Sequence, residues 1–160
     1  MAISFVRVDE RVIHGQIVTG WSGIYKCDGI IGIDDGIAKD PVLVNVFKGA
    51  AAGTKVWIFD VKTALKKLPK VIASDKKYFV IAKHPDTFKR LVEQGISLEN
   101  SNSNKIIIGP MHIREGARTI GPNVAISKED EDAFNYLDGK YTIEFSLVPS
   151  AKPYYWKDIK

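Results

Sequence analysis

Short apolar runs separated by longer amphipathic stretches recur along the whole chain, and this alternation constrains the fold more than any other feature. A short run of β-branched and aromatic residues with little polar alternation suits a strand buried on both faces, as in a parallel sheet covered by helices. Ile3–Val8 is the first such run, followed by Gly29–Ile33, Lys55–Phe59, Tyr78–Ala82 and Lys105–Ile108. Asn123–Ile126 reads as a weaker sixth strand. Tyr141–Val148 reads as a seventh, in which Thr142, Glu144 and Ser146 alternate with Ile143, Phe145 and Leu147, predicting an edge strand with one wet face.

The intervening segments carry helix-start signals. Asp40-Pro41 looks like an N-cap with proline in the first turn, preceding Val42, Val44, Val46 and Phe47. Pro85-Asp86 opens a helix whose Phe88, Leu91 and Val92 share a face, with Gly95 closing it. Ser127 with Asp130 caps a segment carrying Ala133, Phe134 and Leu137, and Asp60 caps a shorter one carrying Ala64, Leu65 and Leu68. The expectation is a single α/β domain over residues 1–160, an open, mainly parallel sheet of about seven strands flanked by helices on both faces.

Composition narrows the classes of function. Lys+Arg 23 against Asp+Glu 19 gives a net charge of +4. The Lys66-Lys67, Lys70 and Lys76-Lys77 pieces lack interleaved stacking aromatics, so they read as a solvated face and no nucleic-acid partner is expected. Trp57 and Phe59 read as core. Cys27 is the single cysteine, which excludes an internal disulfide and a cysteine-rich zinc site. Charged residues from Arg7 to Arg11 argue against a secretory signal, and no apolar run is long enough to span a bilayer, so the expected location is the cytoplasm.

Ligands of open parallel sheets bind beyond the carboxyl ends of the strands. The first such end, Arg7-Val8-Asp9-Glu10-Arg11-Val12-Ile13-His14-Gly15-Gln16, gathers two arginines, two acids, a histidine and a glycine before a helix expected over Gln16–Ile24. Unpaired N–H groups in the first turn of that helix, with Arg7 or Arg11 nearby, would receive an anion. His14 is the candidate nucleophile, since a neutral imidazole offers one ring nitrogen to phosphorus. Asp9 either fixes a ring tautomer or holds an arginine, and both readings stand. Gly15 permits close backbone approach and an unusual dihedral. The plainer alternative is a surface loop whose charges pair with one another while His14 caps the helix.

Other motifs carry less. The Gly15 to Gly20 spacing is followed by Trp21-Ser22 where a phosphate-binding P-loop needs Lys-Ser/Thr, and no GxGxxG follows a strand. His14, His84 and His112 are widely separated without metal-ligand spacing, so neither a metal nor a cofactor is expected. His84 reads as a loop residue, and His112 lies after the fifth strand on the candidate face. Asp34-Asp35 suits turn formation and capping better than acid–base work.

Arg7-x-Asp9-x-Arg11-x-x-His14-Gly15-Gln16 with Trp21 resembles the active-site segment of the IIB component of the phosphotransferase system (PTS), mannose/fructose/sorbose family. Asp34-Asp35 with Asp40, Gly109-Pro110-Met111 with Gly116, and Val148-Pro149 extend the resemblance along the chain. It implies a cytoplasmic phosphoryl carrier with a mostly parallel seven-stranded sheet. In such a carrier His14 accepts a phosphoryl group on Nδ1 from phosphohistidine on a IIA partner. The group then passes to a sugar carried by membrane subunits IIC and IID. The resemblance assigns Arg11 to steadying the phosphoryl group, and Arg7, Asp9, Gly15 and Gln16 to the same loop. Ser146 departs from a commonly basic position. A non-catalytic regulator of the same fold and a stand-alone phosphate-dependent enzyme are the rival readings, and an exposed edge strand would permit a homodimer.

Overall fold

The computed structural model describes residues 1–15, 17–51 and 53–160. The first five strands form where the apolar runs predict them: β1 (Ile3–Val8), β2 (Gly29–Ile33), β3 (Lys55–Phe59), β4 (Tyr78–Ala82) and β5 (Lys105–Ile108). They join β8 (Thr142–Phe145) and β9 (Tyr154–Tyr155) in a seven-stranded sheet of order β3-β2-β4-β1-β5-β8-β9, parallel except for the β8–β9 pair. The helices are α1 (Asp35–Ala38), α2 (Pro41–Ala50), α3 (Val61–Ile72), α4 (Pro85–Glu93), α5 (Lys128–Leu137) and α6 (Trp156–Ile159). Two apolar clusters cover the two faces. One contains Val6, Val8, Phe88, Leu91 and Phe134, and the other contains Phe5, Ile17, Trp21, Ile30 and Phe79.

Capping residues act as their chemistry predicts. Asp40 accepts from the N–H groups of Val42 and Leu43, and Asp60 from that of Thr63. Ser127 and Asp130 form a reciprocal capping box. Asp34 accepts from Ile37 N–H at the start of α1, and Asp35 accepts from Val61 N–H at the start of α3. These two acids are therefore structural.

The tally of seven strands holds with a different membership. Val124–Ile126 is β7, paired antiparallel with β6 (Arg118–Gly121) in a separate hairpin, so the expected sixth strand lies outside the main sheet. The expected edge strand is interior: β8 lies between β5 and β9. Its polar alternation is met by protein instead of water, since Glu144 is buried with Lys105 Nζ 2.7 Å from its carboxylate. The pairing edge expected at β8 is thus covered by Tyr154–Tyr155. On the opposite side β3 is an edge strand, and Trp57, expected in the core, is 37% exposed.

The segment after β1 also differs from expectation. A π-helical turn at Ile17–Trp21 stands where an α-helix to Ile24 was predicted. Thr19 Oγ1 donates to the Gly15 carbonyl at 2.8 Å, and Ser22 Oγ donates to the Val18 carbonyl. Hydroxyls that engage carbonyls four residues back compete with the backbone ladder and loosen the coil.

Candidate functional site

Register brings several strand ends to one level: Val8 is opposite Ala82 on one side and Ile108 on the other, and Ile108 is opposite Phe145. The chain builds β2 and β3 to one side of β1 and later adds β5 and β8 to the other, so β1 sits at the topological switch point. The first residues beyond these ends are Asp9, Gly109 and Ser146. Their N–H groups donate to Ala82, Val8 and Ile108 at 2.9, 2.7 and 3.0 Å.

Asp9 is the hub of the site and is fully buried. Its Oδ2 accepts from Arg7 Nε (3.1 Å) and Arg11 Nη2 (3.1 Å), and lies 3.2 Å from His14 Nε2. Its Oδ1 accepts from the Arg11 N–H (3.0 Å) and Arg11 Nε (3.1 Å), so Arg11 grips the carboxylate with a bidentate fork. Burial alone would raise the Asp9 pKa. Hydrogen bonds from His14 and Arg11 and the charge of Arg7 outweigh it and hold the group well below the usual carboxylate range. Asp9 thus contacts both arginines and the imidazole, which joins the two roles the sequence left open.

Arg7 is also fully buried, on the sheet face of Phe5 and Trp21. It donates from Nη1 to the Ser146 carbonyl (2.9 Å) and from Nη2 to the Leu147 carbonyl (3.0 Å), while its guanidinium lies 5.0 Å from the Trp21 ring centroid. Burial lowers its pKa, and Asp9 opposes that effect. Arg7 therefore serves as an internal strut. Arg11 is half exposed and His14 is 19% exposed by side chain, so these two groups face outward from the network.

The loop backbone adds a constraint. Val12 N–H donates to the Asp9 carbonyl at 2.9 Å, and Val12 takes φ = 56°. A β-branched residue in the left-handed region stores about 1–3 kcal/mol of strain, which its buried packing beside Gly32 must offset. The left-handed dihedral of this loop falls at Val12, while Gly15 does not use the conformational freedom a glycine allows, and a Cβ there would meet nothing within 4 Å. Gln16 lies outside the described residues. Gly109 has a steric role that sequence reasoning did not supply: a Cβ there would lie 2.6 Å from Arg7 Nη2 and 2.9 Å from Asp9 Oδ2.

His112 is joined to this loop through Glu10, whose Oε2 accepts from the His112 N–H (3.0 Å) and lies 2.6 Å from its Nδ1. His84 precedes α4 without a side-chain cap bond. Ser146 Oγ donates to the Val148 carbonyl, so this side chain is turned onto its own segment. The carbonyls of Ser146 and Leu147 hold Arg7, a contribution invisible in side-chain identities.

Among known proteins, the fold matches the crystal structure of the IIBSor domain of the sorbose permease from Klebsiella pneumoniae. The TM-score is 0.87 with 27% identity, over 99% of this chain and 95% of that one. The family model "PTS system sorbose subfamily IIB component" matches residues 3–159, and the chain belongs to that family. The sorbose-specific EIIB component of Lacticaseibacillus casei is 35% identical over 138 residues, covering 86% of this chain and 81% of the relative. The mannose-specific EIIAB component of Escherichia coli (strain K12) is 26% identical over 141 residues, which are 88% of this chain and 42% of that longer protein.

Proposed function

We propose that the chain is a phosphoryl carrier of a sugar phosphotransferase system, a protein-Nπ-phosphohistidine–sugar phosphotransferase with His14 as the carrying residue. The observation that supports this most is the 3.2 Å approach of His14 Nε2 to Asp9 Oδ2. A carboxylate held ionised by two arginines favours the N–H on Nε2, which leaves the Nδ1 lone pair as the nucleophile.

The Nδ1 lone pair attacks phosphorus on a phosphohistidine of a IIA partner, and the donor's P–N bond breaks with its electron pair returning to that ring. Asp9 keeps the Nε2 proton in place throughout. The outward Arg11 guanidinium balances the growing charge on the phosphoryl oxygens. In the second step a sugar hydroxyl attacks phosphorus, the P–Nδ1 bond breaks with its electron pair returning to the His14 ring, and the hydroxyl proton passes to solvent water. The acceptor is a sugar carried by membrane subunits IIC and IID, met at the cytoplasmic face. The EIIAB name of the mannose relative, which joins IIA and IIB, supports a IIA donor. Among the described residues no helix is long and apolar enough to cross a membrane, as suits a carrier that moves between partners.

Labelled phosphoenolpyruvate with the general phosphotransferase proteins and a sorbose-family IIA tests this reading. Acid-labile label on the parent, absent in His14→Ala and chased onto sugar by membranes containing IIC and IID, is the expected result. Arg11→Ala slows both steps. Label retained by His14→Ala refutes the carrier assignment, and label that no sugar displaces favours the regulator.

A further inference from the structure

Lys66, Lys67 and Lys70 do not simply face solvent. They rim a cleft of about 420 Å³ whose floor is Ile31, Trp57, Phe59, Val71 and Tyr78. The cleft opens on the sheet face of Ile31 and Phe59, opposite the face of Phe5 and Trp21 on which Arg7 packs. Trp57 and Tyr78 meet edge to face, with centroids 6.0 Å apart and planes at 70°. Gly29 makes that arrangement possible, because a Cβ there would lie 2.7 Å from the Trp57 ring and 3.2 Å from the Tyr78 ring.

The charge balance of the cleft is one-sided, as none of the described residues that line it is acidic. Lys66 and Lys70 stand one turn apart on α3, a like-charge spacing that weakens a helix unless an anion relieves it. Large aromatic surface left partly open beneath three cations suits a ligand that is flat and apolar at one end and negative at the other. We propose that this cleft binds an aromatic anion, a planar ring system bearing a carboxylate or a comparable negative group, at a site separate from the His14 loop.

The test uses the intact protein, with 2-naphthoate as probe and its neutral isostere 2-naphthamide as control. Trp21 and Trp156 are buried while Trp57 is exposed, so the Trp57 indole N–H resonance reports occupancy selectively. Saturable binding that moves this resonance is expected, with the amide binding about tenfold more weakly. The combined Lys66→Ala, Lys67→Ala and Lys70→Ala substitutions lie on an exposed helix face, favour helix, and should lower naphthoate affinity to the level of the amide. Trp57→Phe should weaken both ligands, read from the Tyr78 ring resonances on the same cleft floor. Equal affinity for acid and amide, undiminished naphthoate binding in the triple variant, absence of saturable binding, or loss of binding on Arg11→Ala would each overturn the assignment.

Discussion

The Asp9→Asn substitution isolates the central element of the site. Five contacts from described residues converge on this carboxylate: Oδ2 meets Arg7, Arg11 and His14, and Oδ1 meets the Arg11 N–H and Nε. An amide keeps the shape but removes the charge, and it points its own N–H groups at donors. Arg7, wholly buried, is then left with carbonyl partners and no counter-charge. Breaking a buried pair costs about 3–5 kcal/mol, and retention of one amide oxygen places this case near the lower end. At about 2–4 °C per kcal/mol for a chain of this size, melting should fall by about 10 °C at neutral pH. The imidazole also loses the acceptor that selects its tautomer, so phosphoryl uptake from a labelled IIA donor should slow by at least about a hundredfold. The pH dependence provides an independent check. Because the native pKa of Asp9 lies below its ordinary 3.8, its contribution to stability is complete above about pH 4 and is lost as the pH falls further. The stability gap between parent and variant should narrow in that acid range. A variant that melts within about 2 °C of the parent and accepts phosphate at the parental rate would refute the account of Asp9 as hub.

Two further outcomes follow from local geometry. Gly109→Ala should destabilise by about 1–3 kcal/mol and impair phosphoryl uptake, because its Cβ displaces the Arg7–Asp9 pair, whereas Gly15→Ala should leave melting unchanged. Thermal melts of the two variants, measured side by side, check this contrast. Ser127→Ala removes one half of the α5 capping box and should cost about 1 kcal/mol, read from chemical unfolding, with phosphoryl transfer at the parental rate.

What the sequence revealed followed from how locally each structural determinant is written. The first five strands were legible because their apolar runs are continuous, and the caps at Asp40, Asp60 and Ser127 because each satisfies N–H groups two or three residues away. Tyr154–Tyr155 is too short to show a period, and its place at the sheet edge depends on a partner nine residues back at Phe145. The exposed face predicted for β8 failed because Glu144 finds Lys105, a neighbour made only by the parallel register. In the site, Arg7, Asp9, Arg11 and His14 were grouped by their spacing. The strut to Ser146 and Leu147 was hidden, since backbone carbonyls carry no residue signature. The clearance at Gly109 was equally hidden, since it matters only once a strand 100 residues upstream is in place.

The burial of Arg7 bears on how tightly a load can be held. Its three hydrogen-bonding nitrogens face Asp9 and two carbonyls, all within the protein, so its charge cancels that of Asp9 and is closed to an incoming oxygen. On the proposed reading Arg11 is, of the two arginines of the loop, the one left to answer a phosphoryl group of about two negative charges, so the arginine pair leaves the load short by roughly one positive charge. A deeper cationic nest would trap the group. An undercharged one keeps the phosphohistidine ready to release it to an acceptor hydroxyl, which is the property a relay requires and a phosphate-binding protein avoids.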